Sequence, residues 1–167
     1  MLSLNFSIDE IKYNFKYATE KLVKSGNKFR MIYSSIYKKH VYTDIIREYL
    51  HDKTMEDLNK PLMVHALQVN YPNLKTKIWK SWKDDDKSVK LVDVIASSSA
   101  VPGGFPPHQI GDDFYIDGGL ILNNPSLYGY VEARKIFDDK DIKVLSLQTD
   151  KHLGFETVQK YLCKTRY

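Results

Sequence analysis

The sequence has a single cysteine, Cys163, among its 167 residues, so no internal disulfide can form. A chain without disulfides is typical of a reducing compartment. A membrane-spanning helix needs about 20 consecutive apolar residues, and no stretch of this sequence comes near that length. The N-terminus lacks the basic and apolar blocks of a signal peptide. These absences predict an intracellular protein, either cytoplasmic or peripheral at a membrane surface.

Strong charge of either sign is also missing. The net charge is +4, and the lysines are spread along the chain rather than gathered in a patch. This distribution argues against nucleic-acid binding and leaves open weak contact with an anionic membrane surface or simply a solvated, lysine-rich surface. The acidic run Asp84-Asp85-Asp86 has no further ligands at useful spacing, so it is interpreted as a solvated turn. We expect neither a metal nor any other cofactor.

The length and the 43% of hydrophobic residues fit one domain with a sizeable core. Apolar or β-prone runs predict strands of one mainly parallel sheet over Leu62–Val69, Phe114–Ile116 and Ile142–Leu147. Capping residues predict helices after Ser7, Ser88 and Asn124. Strand, helix and strand between Phe114 and Leu147 would form a βαβ unit. The predicted fold class is therefore α/β, with a mainly parallel sheet flanked by helices.

Shorter patterns predict three further elements. A second helix is indicated by apolar and aromatic residues at helical spacing, Ile45, Ile46, Tyr49 and Leu50. Thr54 and Asp57 can cap a short turn. Lys77–Trp82 is typical of a more exposed strand at a sheet edge.

The stretch with the most chemistry runs from Ala96 to Ser126. The β-prone run within it stops at Asp117, which is followed by Gly118 and Gly119. Functional groups in α/β proteins gather where strands end, and glycines permit positive φ or the close approach of another segment. Asp117 is therefore a candidate functional carboxylate. An aspartate before two glycines can also serve only to bond the amides of a turn, and this alternative stays open.

The whole stretch resembles the second half of the patatin-like phospholipase family. An Ala-Ser-Ser-x-Ala-x-Pro-x-x-Phe-x-Pro segment begins at Ala96, the Asp-Gly-Gly motif begins at Asp117, and an Asn-Pro helix start lies at Asn124. The resemblance is fainter over Lys60–Val69, and Asp57-Leu58 and Pro61-Leu62 are the family-like residues there. It implies a lipid acyl hydrolase of lipid breakdown that acts on phospholipid or another acyl ester. It also implies that Asp117 is the proton acceptor of a Ser–Asp dyad.

The nucleophile half of that family is not found in this sequence. The family carries a glycine-rich oxyanion loop and a Gly-x-Ser-x-Gly elbow, and no Gly-x-Ser-x-Gly occurs here. Ser97, Ser98 and Ser99 lack flanking glycines, so they are interpreted as packing residues rather than nucleophiles. Acyl transfer needs a nucleophile, a base and oxyanion donors in one place. The chain is therefore predicted to be inactive by itself.

Three interpretations remain. In the first, residues 1–167 are a single patatin-like domain that is truncated at its N-terminus, and the front half is encoded upstream or supplied by another chain. In the second, the chain is a non-catalytic remnant that binds lipid or a partner. In the third, it is an unrelated α/β domain. A missing front half would leave apolar surface that a second copy of the chain could also cover.

Overall fold

The computed structural model describes residues 4–27, 29, 34–137 and 141–147. The chain divides into two compact units, Met1–Asn123 and Asn124–Tyr167. The described helices of the first unit are α1 (Ile8–Ser25), α2 (Lys39–Leu50), α3 (Asp84–Lys87) and α4 (Leu91–Ser98). Its described strands are β1 (Met63–Asn70), β2 (Asn73–Lys80), β3 (His108–Ile110) and β4 (Asp113–Asp117). Short 3-10 turns span Met55–Asp57 and Gly118–Leu120, and the second unit contains α5 (Ser126–Phe137).

The four strands form one sheet in the order β2-β1-β4-β3, and every neighbouring pair is antiparallel. The α/β class is confirmed, and the predicted mainly parallel sheet is wrong. Two-residue links join β1 to β2 and β3 to β4, and a link that short can only reverse the chain direction. The apolar character of β1 instead reflects its place between β2 and β4.

Two of the three predicted strands are present. Leu62–Val69 corresponds to β1 and Phe114–Ile116 lies within β4, whereas Ile142–Leu147 has no regular secondary structure. The predicted strand over Ile142–Leu147, and with it the βαβ unit, is wrong. An apolar run becomes a strand only when its backbone groups pair with a neighbour. Lys77–Trp82 overlaps β2, which is an edge strand as predicted.

The helix starts follow local capping. Ser7 and Glu10 form a reciprocal capping box at the start of α1, and the Asn124 Oδ1 accepts the Ser126 N–H at 3.0 Å where α5 begins. The prediction at Ser88 was wrong in detail, because Ser88 follows the end of α3 and α4 begins only at Leu91. The second helix is confirmed as α2.

The core of the first unit gathers side chains from α2, α4, the first 3-10 turn and three strands: Leu50, Met55, Ala66, Trp79, Leu91, Val94 and Tyr115. Asp86 is fully buried beside it. Its Oδ1 accepts the Lys77 ammonium at 2.7 Å, and its Oδ2 accepts the Lys80 amide at 3.0 Å. The interpretation of the acidic run as a solvated turn is therefore wrong for Asp86, a buried carboxylate that has both a charged and a backbone donor.

Candidate active site

Asp117 is the last residue of β4, where the strand passes into the Gly118–Leu120 turn. Its register partner on β1 is Ala66, and its N–H donates to the Ala100 carbonyl oxygen at 3.2 Å. The backbone of Asp117 is thus held between the central strand of the sheet and the loop that follows α4.

The Asp117 carboxylate is half-buried and oriented by the turn. Oδ1 accepts the Gly119 N–H at 2.6 Å, as expected of an aspartate that bonds a turn amide. Oδ2 makes no hydrogen bond within the described part of the chain. One oxygen therefore fixes the orientation of the carboxylate, and the other remains able to accept a proton.

The two glycines after Asp117 serve close approach rather than positive φ. A Cβ on Gly118 would lie 2.3 Å from the His65 carbonyl oxygen and 2.9 Å from its carbonyl carbon. A Cβ on Gly119 would lie 3.0 Å from the Asp117 Oδ1. Gly118 thus lets the turn pack directly on the backbone of β1, and Gly119 lets its own amide reach the carboxylate.

His65 closes the far end of the same turn. Its Nε2 lies 2.7 Å from the Leu122 carbonyl oxygen, which can only accept, so this nitrogen carries the donating hydrogen. The histidine of β1 therefore contacts both Gly118 and Leu122.

The three serines at the end of α4 lie in a packed environment. Ser97 is fully buried, and its Oγ has no hydrogen-bond partner among the described residues. The Ser99 Oγ donates to the Ile95 carbonyl oxygen one turn earlier in α4 and also bonds the Tyr42 hydroxyl. Back-bonding of this kind is common for serines in helices and accounts for the hydrogen of the Ser99 hydroxyl.

The loop between α4 and β3 is fastened at several points. Residues Ile36 and Tyr37 donate their amides to the Gly103 and Gly104 carbonyl oxygens, each at 3.0 Å. The ring of Phe105 stacks with Tyr37 and tilts against Tyr42, at centroid distances of 5.1 and 4.4 Å.

A histidine–aspartate pair links the strand that follows this loop to the first turn of α4. The Nε2 of His108, a buried residue of β3, lies 2.9 Å from the Asp93 Oδ1 in α4. The pair couples the helix to the strand that precedes β4.

Beside this loop lies a cavity of about 320 Å³. It is lined by Ser34, Ser35, Pro102, Gly103, Phe105, Pro106, Pro107 and Ile116. The apolar lining suits a hydrocarbon group better than a charged one. Asp117 is not among its lining residues, so the cavity and the carboxylate are neighbours along the chain rather than parts of one pocket.

Tyr42 was not identified from the sequence as part of this region. Burial is the largest cause that raises the pKa of the Tyr42 phenol, and the negative charge of Asp117 raises it further. No sequence signal pointed to Tyr42, because it lies in α2, far along the chain from the Asp-Gly-Gly motif.

Within the described ranges, no three His, Cys, Asp or Glu side chains are grouped so that they could hold a metal ion. None of the helices in this part of the chain has the length and apolar character to cross a membrane.

The site thus consists of a carboxylate at a strand end, Asp117, followed by two closely packed glycines within an α/β unit. The family described as patatin-like phospholipase matches this chain over residues 1–128. The chain therefore belongs to the patatin-like phospholipase family. The match includes α1 and α2, which carry no family motif.

Several relatives share this family. The cGAMP-activated phospholipase of Escherichia coli (strain TW11681) is 33% identical over 110 residues, which cover 59% of this chain and 30% of that protein. The cGAMP-activated phospholipase of Vibrio cholerae is 37% identical over 73 residues, which cover 38% of this chain and 21% of that protein. The calcium-independent phospholipase A2-gamma of Rattus norvegicus is 39% identical over 64 residues, which cover 38% of this chain and 8% of that protein. The chain thus spans less than a third of the length of each of these relatives.

Proposed function

We propose that this chain supplies the carboxylate base of a patatin-like lipid acyl hydrolase, with Asp117 as the proton acceptor of a Ser–Asp dyad. The observation that carries the proposal is the orientation of the Asp117 carboxylate. Its Oδ1 is engaged by the Gly119 amide, and its Oδ2 has no partner in the described part of the chain. The Asp-Gly-Gly motif and the family match over residues 1–128 support the same role.

The chemistry assigned to Asp117 is general base catalysis. A serine hydroxyl would transfer its proton to the carboxylate as its oxygen attacks the carbonyl carbon of the ester. The protonated carboxyl would then give this proton to the departing alcohol, which leaves an acyl-serine. A water molecule would hydrolyse the acyl-serine in the reverse sense, with Asp117 again taking and returning a proton.

The nucleophile and the oxyanion donors would come from residues outside this chain, because the sequence contains no Gly-x-Ser-x-Gly. The proposed substrate is a phospholipid or another acyl ester, which agrees with the names of the relatives. Two of these relatives are named as cGAMP-activated, so cGAMP is the first activator to test on the complete protein.

The missing nucleophile motif also favours a second candidate function. A chain that keeps the Asp-Gly-Gly turn without a nucleophile could bind lipid or a partner and catalyse nothing. The two functions differ in whether activity appears when a nucleophile is supplied.

Complementation tests the proposal. The chain is assayed alone, together with the family segment that carries Gly-x-Ser-x-Gly, and with the same segment whose nucleophile serine is changed to alanine. Fatty acid released from phospholipid vesicles is measured by mass spectrometry, with and without cGAMP. We expect release only from the combination with the intact serine.

Two results would contradict the proposal. Release by the chain alone would mean that a nucleophile exists within it. A stable complex of the chain with the intact segment that releases no fatty acid would favour the binding function.

A further inference from the structure

Tyr42 lies in α2 and makes its side-chain contacts with the loop after α4. Its ring tilts against Phe105, with 4.4 Å between the ring centroids. Its hydroxyl bonds the Ser99 Oγ, at the point where α4 ends. One side chain thus contacts both the beginning of the loop and its aromatic residue.

The direction of the hydrogen bond between Tyr42 and Ser99 follows from counting hydrogens. Ser99 has one hydroxyl hydrogen, and its Oγ donates to the Ile95 carbonyl oxygen, which can only accept. The Ser99 Oγ must therefore accept from Tyr42, and the Tyr42 hydroxyl is the donor. This arrangement requires a neutral phenol, and the pKa of Tyr42 is raised, first by burial.

The loop position fixed by Tyr42 is the one that holds Asp117. Ser99 is followed by Ala100, which is buried, and the Ala100 carbonyl oxygen accepts the Asp117 N–H at 3.2 Å. The contact path runs from the Tyr42 hydroxyl through the Ser99–Ala100 backbone to the amide of the candidate base.

We propose that Tyr42 is a positioning residue for Asp117, because its hydroxyl fixes the Ser99–Ala100 turn to which the Asp117 amide is bonded. The catalytic consequence rests on the proposed function. The effect on the Asp117 backbone rests only on the geometry of this chain and can be measured without any activity.

Amide hydrogen exchange followed by NMR tests the positioning. Tyr42→Phe removes the hydroxyl and keeps the ring, and Tyr37→Phe is the matched control because Tyr37 also stacks on Phe105. Loss of one hydrogen bond of ordinary strength is expected to raise exchange at the Asp117 amide about fivefold, equivalent to about 1 kcal/mol. Exchange at the Gly119 amide is expected to rise as well, because this amide donates to the Asp117 Oδ1.

A remote amide separates positioning from general destabilisation. The Ser81 N–H donates to the Leu62 carbonyl oxygen at 3.0 Å, outside the Tyr42 contacts. We expect its exchange rate to stay within twofold in both variants. Ser99→Ala removes the acceptor instead of the donor and is expected to reproduce the Tyr42→Phe pattern, so it replaces that variant if Tyr42→Phe does not fold.

The effect of Tyr42 on catalysis is measured with the complemented enzyme. Tyr42→Phe is expected to lower kcat about tenfold and to leave KM within twofold, because the base is displaced and the substrate contacts are not. Complete inactivity of the parent would overturn the proposed function and leave the exchange experiment to decide the positioning role. The positioning role fails if Asp117 exchange is unchanged, if Ser81 exchange rises equally, if Tyr37→Phe has the same effect, or if kcat does not fall in an active enzyme.

Discussion

Gly118→Ala is the substitution whose effect is set most directly by the geometry. The new Cβ would lie 2.3 Å from the His65 carbonyl oxygen and 2.6 Å from the His65 Cδ2. The nearest atom belongs to the backbone of β1, which is paired on both sides, so it cannot move away without disturbing the sheet. Relief must come from a shift of the turn that carries Asp117.

The cost of such overpacking is about 1–3 kcal/mol, and a clash with paired backbone belongs at the upper end. For a chain of this size, a loss of about 3 kcal/mol corresponds to a fall in Tm of about 6–12 °C. Thermal unfolding followed by circular dichroism measures this fall in Tm.

Gly129→Ala is the control, because a Cβ there meets no atom within 4 Å beyond the helix's own backbone. Replacing a glycine in the interior of α5 is expected to stabilise the helix by up to about 1 kcal/mol. A Tm for Gly118→Ala within about 1 °C of the parent would refute the close approach of the turn to β1.

Three further predictions concern other described groups. Asp86→Ala removes the acceptor of the Lys77 ammonium and of the Lys80 amide. The free energy of unfolding, measured in urea, is expected to fall by about 3 kcal/mol. This is the low end for a broken buried ion pair, because Lys77 is partly exposed. Asp85→Ala, at an exposed site, is expected to change stability by less than about 0.5 kcal/mol, and equal effects would contradict the burial of Asp86. Burial, with the charge and hydrogen bond of Asp113, raises the pKa of Tyr115 to about 12. Below pH ~10 the phenol is neutral in both states, and between pH ~10 and ~12 only the unfolded state loses the proton, so about 2–3 kcal/mol of stability is lost as the pH rises. Tyr115→Phe is expected to lack this loss, and an unchanged pH profile in the variant would contradict it. Finally, the chain alone is expected not to react with a serine-directed fluorophosphonate probe, and stoichiometric labelling of Ser97, Ser98 or Ser99 by mass spectrometry would overturn the interpretation of these serines as packing residues.

Local features were predictable from the sequence because their causes are local. The reciprocal bonds of Ser7 with Glu10 and of Thr54 with Asp57 need only a spacing of three residues, and both capping boxes are present. The strand end at Asp117 likewise follows from a β-prone run that meets two glycines. The Asp-Gly-Gly turn was therefore predicted at the correct position.

One local signal was missed: the sequence Asn70-Tyr71-Pro72-Asn73 contains turn residues that indicate a hairpin, and this hairpin sets the antiparallel direction of β1 and β2. Two other features were missed because tertiary contacts set them. The burial of Asp86 depends on Lys77 from the neighbouring strand, and the position of Tyr42 depends on the packing of α2 against the loop after α4. Neither partner lies at a spacing that a helix or strand pattern can show.

The contacts also decide which neighbouring carboxylate can serve as a control for Asp117. Asp112 and Asp113 both lie shortly before the Asp-Gly-Gly motif. Asp113 accepts hydrogen bonds from the side chains of Asn70 and Tyr115, so Asp113→Asn perturbs the sheet. Asp112 is exposed and remains the matched control.

The most direct measurement is the turnover of phospholipid by the complemented protein with Asp117→Asn, compared with Asp112→Asn. The change at Asp117 is nearly isosteric and leaves an oxygen to accept the Gly119 amide, so the fold is expected to persist. Turnover is expected to fall by about 10²–10⁴-fold, which is the usual contribution of a positioned general base. Asp112→Asn is expected to remain within about twofold of the parent. Turnover of Asp117→Asn within about threefold of the parent would contradict the assignment of Asp117 as the base.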